Sequence, residues 1–278
     1  MAKTYICKAD LFPQKEIPTN DIQSRDLYPK AFHLHNRYWL QQKLGYKCGD
    51  NFNDICYPVY VKEKVNLYGM GGRGKICYSY DEVKQSNLDN NDFFWCKYFS
   101  GTHLSIDYVI LKGFVIQSHS FIGHKDSDGN FDYWEYVHNN DIINPVIINE
   151  LLYYYSDFTG IINVETIAGN IIECHLRMGD IYHLNGMRGQ IINLYLNHTW
   201  NPVYTEKCYL FAVFKDAKDL LEYQIKPETK DILTHNVEYY QFRKKYLDHT
   251  TVRVFFYKVF DLDRGKKVKK HLVKYICQ

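Results

Sequence analysis

The chain has 278 residues, of which 46% are hydrophobic and 24% are charged, a composition typical of a globular protein. Its 34 basic and 32 acidic residues leave a formal net charge of +2, which gives no general field that would attract nucleic acid or an acidic membrane. These figures exclude a collagen-like chain, a disordered tail and a disulfide-rich mini-domain.

The eight cysteines include no CxxC pair and show no zinc-ligand spacing, so we expect free thiols in a reducing compartment. The opening segment MAKTYICKADLFPQ lacks the apolar run of a signal peptide. No stretch approaches the roughly 20 apolar residues of a membrane helix. We therefore expect a cytoplasmic protein without a membrane partner. The abundance of Asn, Ile, Lys and Tyr indicates an AT-rich genome, microbial or viral, and a viral protein would lie in the host cytoplasm or the virion.

In chain order, the first half predicts a lead-in, one helix and a series of strands. Residues 1–31 contain three prolines and predict an extended lead-in, and 32–44 predict an amphipathic helix ended by Gly45. Residues 66–75 form a glycine-rich loop, and 81–88 predict one or two helical turns. Strands are predicted at 57–65, 76–80, 93–99, 103–113, 114–123 and 131–137.

The second half predicts further helices and strands, which together give an α+β fold with clustered antiparallel strands. Helices are predicted at 144–158, at 186–199 and near 217–223, a hairpin at 160–179, strands at 208–214 and 252–260, and a basic stretch at 264–275. We expect three parts: a lead-in with a helix (1–50), a core (51–205) and a C-terminal extension (206–278).

The glycine-rich loop is the first chemical signal. Gly69 to Lys75 fits the G-x-x-x-x-G-K spacing of a P-loop, but a P-loop needs Ser or Thr next, followed by a helix. Here Ile76 follows and opens a predicted strand, which argues against a P-loop. Two alternatives stay open: a loop that folds over a triphosphate through its backbone N–H groups, or a plain hairpin loop.

Two lysines precede this loop in the strand YPVYVKEKV. Lys62 and Lys64 are two residues apart, so the strand period places both on one face and does not distinguish them. Either ammonium could contact phosphate oxygens, and either could be an ordinary solvated lysine.

A hairpin with acidic residues in both strands is the stronger signal. Glu165 lies in GIINVETI, and Glu173 lies in NIIECHLR, with His175 and Arg177 on the same face. Magnesium is the natural partner for such carboxylates, because it leaves other positions for water and phosphate oxygens. Arg177 would meet phosphate as a forked donor. The alternative is a cross-strand ion network on an exposed face.

Three segments in this order resemble the ATP-grasp superfamily: YPVYVKEKVNLYGMGGRGK, WCKYFSGTHLSID and INVETIAGNIIECHLRMGD. Members carry a strand lysine, a glycine-rich flap, a hinge that ends in a G-x-E-x-S type strand, and a hairpin with an acidic residue followed by E-x-N-x-R. The resemblance covers about residues 33–200. It implies two α+β subdomains whose antiparallel sheets grip a nucleotide, with a C-terminal α/β extension.

The resemblance also implies the site residues and cofactors. The implied ATP-binding residues are Lys62, Lys64, Gly69, Gly71, Gly72, Lys75, Trp95, Lys97, Tyr98 and His103. The implied metal ligands are Glu165, Glu173 and His175, and the implied catalytic residues are Lys62 and Arg177. Lys62 would bind the α-phosphate, the glycine-rich loop the β- and γ-phosphates, and Arg177 the transferred phosphate, while residues 95–98 would meet adenine. The cofactors are ATP and Mg2+, with Mn2+ as a possible replacement.

The chain departs from the superfamily pattern at three positions. His103 stands where a ribose-binding Glu is common, and Asn163 stands where an Arg often precedes the acidic residue. His175 replaces an Asn ligand of the second metal, and imidazole suits manganese or zinc better than magnesium. The segment 1–50 is too short for the α/β domain that shapes the acceptor site, so we expect the acceptor at 118–136 or in the C-terminal third.

These features favour an ATP-dependent carboxylate ligase that forms an acyl phosphate and releases ADP and phosphate. Its partners would be small-molecule or peptide carboxylates and amines. The alternative is a degenerate ATP-grasp protein that binds nucleotide or has a structural role. A nucleotidyltransferase is disfavoured because no K-x-D-G string occurs, and the basic run 264–270 predicts a solvated face rather than a nucleic-acid contact. For the ligase, Glu173→Ala should abolish turnover and leave the fold intact.

Overall fold

The computed structural model describes residues 11–65, 74–126, 131–138, 141–216, 239–242 and 251–276. The α-helices in these ranges are α1 (Asp21–Leu27), α2 (Arg37–Lys43), α3 (Tyr80–Lys84), α4 (Pro145–Tyr154), α5 (Met187–Asn197) and α6 (Leu262–Ile276). Short 3-10 helices cover Pro29–His35, Asn87–Asp89 and Ile181–His183. The strands are β1 (Cys48–Gly49), β2 (Val59–Glu63), β3 (Lys75–Cys77), β4 (Phe93–Lys97), β5 (His103–Leu111), β6 (Phe114–Lys125), β7 (Phe131–Val137), β8 (Gly160–Ile167), β9 (Asn170–His175), β10 (Tyr209–Asp216), β11 (Tyr239–Phe242) and β12 (Thr251–Val259).

Two antiparallel sheets organise the chain. The small sheet has the strand order β1-β4-β2-β3, and the large sheet has the order β11-β12-β10-β7-β6-β5-β8-β9. The neighbouring strands of the large sheet are likewise antiparallel. This architecture confirms the predicted α+β class. Strands β10 and β12, from the segment predicted as an extension, continue the large sheet.

Helices cover both faces of the large sheet. Ile162 and Val164 of β8 lie in the core under α4, α2 and the first 3-10 helix, whereas Ile161 lies in the core under α5. This alternation follows the two-residue period of a strand. Each such fully buried aliphatic side chain contributes about 1.5–3 kcal/mol to folding. The strand β9 ends the sheet, and its open edge faces the small sheet.

The predicted helix 32–44 is broken at Asn36. This residue has an extended backbone (φ −80°, ψ 103°), and its side chain accepts from the N–H groups of Tyr38 and Trp39. Such a cap satisfies the first turn of α2, so the preceding residues end as a separate 3-10 helix. The lead-in is also not simply extended, because Asn20 caps α1 in the same manner.

The C-terminal part adds one strand that the sequence did not predict, β11. The basic run lies in α6, which buries Val268 and Leu272 against the sheet and exposes most of its lysines. The predicted helix near 217–223 and the loop segment 66–73 lie outside the described residues. Within the described ranges, no helix has the length and apolar character needed to cross a membrane.

Candidate functional site

The hairpin of β8 and β9 places the two predicted glutamates opposite each other. Ala168 and Gly169 form a two-residue turn with φ values of 48° and 79°. A turn with both φ values positive matches the twist of a hairpin, and glycine adopts it without strain. This turn sets Thr166 opposite Ile171, and a one-residue register shift beyond that pair, a β-bulge, then sets Glu165 opposite Glu173. Opposed residues share a face, so both carboxylates lie on the same side of the sheet.

Glu173 is held by two cationic side chains. Arg37 Nε lies 3.2 Å from Oε1, and His175 Nε2 lies 3.2 Å from Oε2. Burial would raise the pKa of Glu173, but Arg37 and His175 hold it well below its usual range. Glu173 is therefore ionised, with its charge already balanced by protein groups.

The other nitrogen of His175 faces α1. His175 Nδ1 lies 3.0 Å from Asp21 Oδ1, so both ring nitrogens face carboxylates. Two carboxylates accept hydrogen bonds, which requires the ring to donate from both nitrogens. Burial would lower the pKa of His175, but chiefly Asp21, together with Glu173, raises it to about 9. The ring is therefore an imidazolium, without a lone pair for a metal.

Asp21 also binds Arg177 and contacts a second histidine. Arg177 Nε and Nη2 donate to the two oxygens of Asp21 at 3.1 and 3.2 Å. His35 Nδ1 lies 3.5 Å from Asp21 Oδ1, and His35 Nε2 accepts the backbone N–H of Leu176. This acceptor role puts the proton of neutral His35 on Nδ1. Burial, with the nearby charge of His175, lowers the pKa of His35 to about 3, so the ring stays neutral.

Lys62 reaches the same hairpin from the small sheet. Its Nζ donates to Ile172 O at 3.1 Å, one residue before Glu173. Gln41 of α2 donates to the neighbouring carbonyl, Ile171 O, at 2.9 Å. These side chains cover the open edge of β9. Burial lowers the pKa of Lys62, while the charge of Glu173 opposes this effect.

Comparison with known proteins gives a match at the level of structure. No protein-family profile and no curated protein sequence matches the chain. N5-carboxyaminoimidazole synthase from Aspergillus clavatus, in complex with ADP and 5-aminoimidazole ribonucleotide, has a TM-score of 0.61 at 10% identity, covering 90% of this chain and 75% of its own. N5-carboxyaminoimidazole synthetase from Staphylococcus aureus, complexed with ADP, has a TM-score of 0.60 at 13% identity. The alignment covers 88% of this chain and 72% of the synthetase. L-amino acid ligase from Bacillus licheniformis has a TM-score of 0.52 at 10% identity, and the alignment covers 92% of this chain and 70% of the ligase. All three are ATP-grasp proteins.

The chain has the ATP-grasp fold. Of the residues that the resemblance implies, the structure groups six around the β8–β9 hairpin: Lys62, His103, Glu165, Glu173, His175 and Arg177. Three members of the implied flap, Gly69, Gly71 and Gly72, lie outside the described residues.

The structure separates the two lysines that the strand period leaves equivalent. Because β2 ends at Glu63, Lys64 no longer follows the strand alternation. Lys64 Nζ pairs with Asp50 at 2.9 Å and lies 5.1 Å from the ring centre of Tyr38. Lys62 is buried and faces the hairpin, so it is the lysine placed near the glutamates.

The implied adenine segment lies at the end of β4. Trp95 packs its ring in the core of the small sheet and donates its indole N–H to Asn51 O at 2.7 Å. Lys97 is exposed and Tyr98 half-buried, and both backbone N–H groups donate to carbonyls of neighbouring segments. Only backbone carbonyls or the outer side chains of this segment can therefore meet a base directly. Lys75 is exposed at the start of β3.

His103 connects β5 to the acidic hairpin. Its Nε2 lies 2.9 Å from Glu165 Oε2, and its ring meets Phe131 and Trp134 edge-on at 5.0 and 5.5 Å. Within the described residues, His103 Nδ1 is buried and has no hydrogen-bond partner. His103 therefore orients Glu165 in this structure.

Asn163 supports the segment after β9. Its side chain donates to Asp107 Oδ1 at 3.1 Å, and Asp107 accepts the backbone N–H groups of Gly179 and Ile181 at 2.6 and 3.1 Å. A Cβ atom on Gly179 would lie 2.6 Å from Asn163 Nδ2, so this close approach requires glycine. Asn163, which stands where an Arg is common in the superfamily pattern, is thus explained by its close packing against Gly179 and its hydrogen bond to Asp107.

The donor set fits magnesium at the two glutamates. Ligand atoms of Glu165, Glu173 and His175 lie within 4.8 Å of one another. Carboxylate oxygens suit a hard cation, and each Glu173 oxygen keeps a lone pair beyond its present hydrogen bond. The imidazolium of His175 does not fit the ligand role that the resemblance implies, because both of its nitrogens donate to carboxylates.

Sequence reasoning missed Asp21, His35 and Arg37. Asp21 is 154 residues from His175 in the chain, and no local spacing links them. The available signal was indirect: a carboxylate, an imidazole and a guanidinium on one buried face need counter-charges from elsewhere. Nothing in the pattern identified which residues would supply them.

Glu173→Ala is expected to destabilise the protein by about 3 kcal/mol, because the buried Arg37 would lose its carboxylate and His175 would lose one of its two. This result would differ from the sequence-based expectation of an intact fold. Urea unfolding measures the change. Glu150→Ala is the matched control, since it removes a carboxylate that pairs at 2.9 Å with His33, whose side chain is 26% exposed, against 5% for Arg37 and 8% for His175. Its expected cost is below about 1 kcal/mol, and equal costs for the two variants would contradict the prediction.

Proposed function

We propose that this chain is an ATP-dependent ligase that activates a small-molecule or peptide carboxylate as an acyl phosphate and joins it to an amine or another nucleophile. One observation carries the proposal. Glu165 and Glu173 face each other in the hairpin, and Lys62 Nζ bonds to the same hairpin from the opposite sheet. Two carboxylates for a divalent cation and an ammonium for phosphate match the needs of a metal–triphosphate complex.

The comparisons support the nucleotide part of the proposal. Two of the similar structures contain ADP, and the third is an L-amino acid ligase. Their identity to this chain is only 10–13%, so the reaction is argued from this chain's own residues.

Each charged side chain has a role in this proposal. Glu165 and Glu173 would hold magnesium, which when bound offsets the charge of the phosphates. Lys62 would bind phosphate oxygens, and Arg177 would donate to the transferred phosphoryl group. His175 would remain a cation that orients Glu173.

The chemistry requires no protein nucleophile. A carboxylate oxygen of the substrate attacks the γ-phosphorus, the bond from that phosphorus to the β–γ bridging oxygen breaks, and ADP leaves. The amine nitrogen then attacks the acyl carbon, the acyl C–O bond breaks, and phosphate leaves while the amine loses a proton. The protein contributes positioning and charge neutralisation.

Binding of nucleotide without turnover is the second candidate function. The observation that favours it is the pairing of both Glu173 oxygens with Arg37 and His175. A carboxylate whose charge is already balanced attracts a metal less strongly than a bare one.

Calorimetric titration with Mg-ATP tests nucleotide binding, and product analysis tests formation of the acyl phosphate. ATP is incubated with pools of amino acids and dicarboxylic acids plus hydroxylamine, which traps an acyl phosphate as a hydroxamate. We expect ADP and hydroxamate in equal amounts. AMP and pyrophosphate would overturn the mechanism, absence of nucleotide binding would remove both candidates, and binding without turnover would favour the second.

A further inference from the structure

Asp21 is the buried centre of the network beside the hairpin. Its side chain is 3% exposed and contacts His35, His175 and Arg177. Helix α1 is fixed at a second point by Ser24, whose Oγ lies 3.1 Å from His35 Nε2. A segment that precedes all the ATP-grasp motifs is thus built into the site.

The contacts of Arg177 leave part of its donor capacity for a ligand. Nε and Nη2 donate to Asp21, and Nη1 donates to Met178 O at 3.2 Å. A guanidinium has five N–H groups, so these bonds use three and leave two. Two N–H donors in a fixed plane are what a phosphate group accepts from a forked guanidinium.

Asp21 also keeps two neighbouring cations together. Arg177 and the imidazolium of His175 both contact it, and like charges this close repel each other. Burial would lower the pKa of Arg177, and the carboxylate of Asp21 more than offsets this. The Arg177 side chain is only 17% exposed, so without that carboxylate its charge would be unpaired and we expect the guanidinium to move toward solvent.

We propose that Asp21 is a positioning residue that holds Arg177 side-on, so that the remaining N–H donors of Arg177 meet the γ-phosphate of ATP. This inference rests on the proposed function, in which Arg177 contacts the transferred phosphoryl group. Asp21 touches no phosphate and acts through Arg177. Its loss should therefore weaken binding of the third phosphate more than binding of the first two.

The test compares two nucleotides in four proteins. Dissociation constants for Mg-ADP and for magnesium with a non-hydrolysable ATP analogue are measured by calorimetry for wild type, Asp21→Asn, Arg177→Lys and Asp26→Asn. Asp26 is the matched control, because it also lies on α1 but is 64% exposed and pairs with Arg25. We expect the preference for the analogue over ADP to fall about tenfold in Asp21→Asn and Arg177→Lys and to stay unchanged in Asp26→Asn.

The double variant Asp21→Asn/Arg177→Lys is expected to match Arg177→Lys alone, since residues that act together are not additive. A purely structural role predicts equal weakening of both nucleotides, and that result would overturn the inference. If circular dichroism shows Asp21→Asn to be unfolded, Asp21→Glu replaces it, because the extra methylene displaces the carboxylate. An unchanged preference in that variant would again overturn the inference. Absence of nucleotide binding by wild type would overturn the proposed function as well.

Discussion

Glu165→Gln is expected to lower magnesium-dependent ADP formation by at least about 100-fold, because the loss of a charged ligand from the proposed magnesium site removes several kcal/mol of charge stabilisation. The free energy of unfolding should change by less than about 1 kcal/mol. The Glu165 side chain is 26% exposed, and the amide of a glutamine in its place can still form a hydrogen bond with His103. Initial rates of ADP release over a magnesium titration measure the first effect, and urea unfolding measures the second.

Glu150→Gln is the matched control for this variant. Glu150 belongs to α4 and also pairs with a histidine, His33, at 2.9 Å, and its side chain is 24% exposed. Its replacement should leave both the rate and the half-saturating magnesium concentration within about twofold of wild type. Turnover by Glu165→Gln within threefold of wild type would contradict the metal assignment at Glu165.

The acidic hairpin was predictable because its information is local. Glu173 follows Glu165 by eight positions, and a two-residue turn with glycine at its second position brings the two strands together. The β-bulge beyond Thr166, which sets the two glutamates directly opposite each other, has no signal in this spacing. Strand periodicity and turn chemistry are properties of neighbouring residues, so they can be inferred from one sequence. The order of the weak motifs then indicated the ATP-grasp fold, which the structure comparison confirms.

The charge partners of the hairpin were not predictable, because they arrive through tertiary structure. Asp21 and Arg37 come from the lead-in and from α2, and the chain must fold before either meets β9. The protonation of His175 depends chiefly on the contact with Asp21, since its spacing in NIIECHLR fits a ligand and a cation equally well. The position of Arg37 also depends on the break in the helix at Asn36. The sequence fits one continuous helix over 32–44 as well as it fits two shorter helices separated at Asn36.

Lys62→Met is expected to weaken Mg-ATP binding by about 10- to 100-fold, because it removes a charged hydrogen-bond donor from the proposed phosphate site. The same substitution should not lower the free energy of unfolding. Lys62 is 5% exposed and bonds to a neutral carbonyl, Ile172 O, so the protein pays to desolvate this ammonium. Methionine fills a similar volume without that cost, and Glu173 keeps Arg37 and His175 as partners. We therefore expect a free energy of unfolding equal to or above that of wild type.

The same substitution at Lys64 decides between the two strand lysines. Lys64 faces Asp50 on the outer side, so Lys64→Met should change Mg-ATP affinity by less than about twofold. Lys84→Met, on the exposed side of α3, controls for the loss of one positive charge from the small-sheet region. Calorimetry gives the affinities, and urea unfolding gives the stabilities. If Lys64→Met lost more affinity than Lys62→Met, the ammonium at the hairpin would be structural and the phosphate contact would lie at the strand end. If Lys62 served only in packing, its replacement would lower the free energy of unfolding at least as much as the affinity for nucleotide. A Lys62→Met protein that is stable but binds nucleotide weakly would therefore indicate a direct contact of Lys62 with the nucleotide.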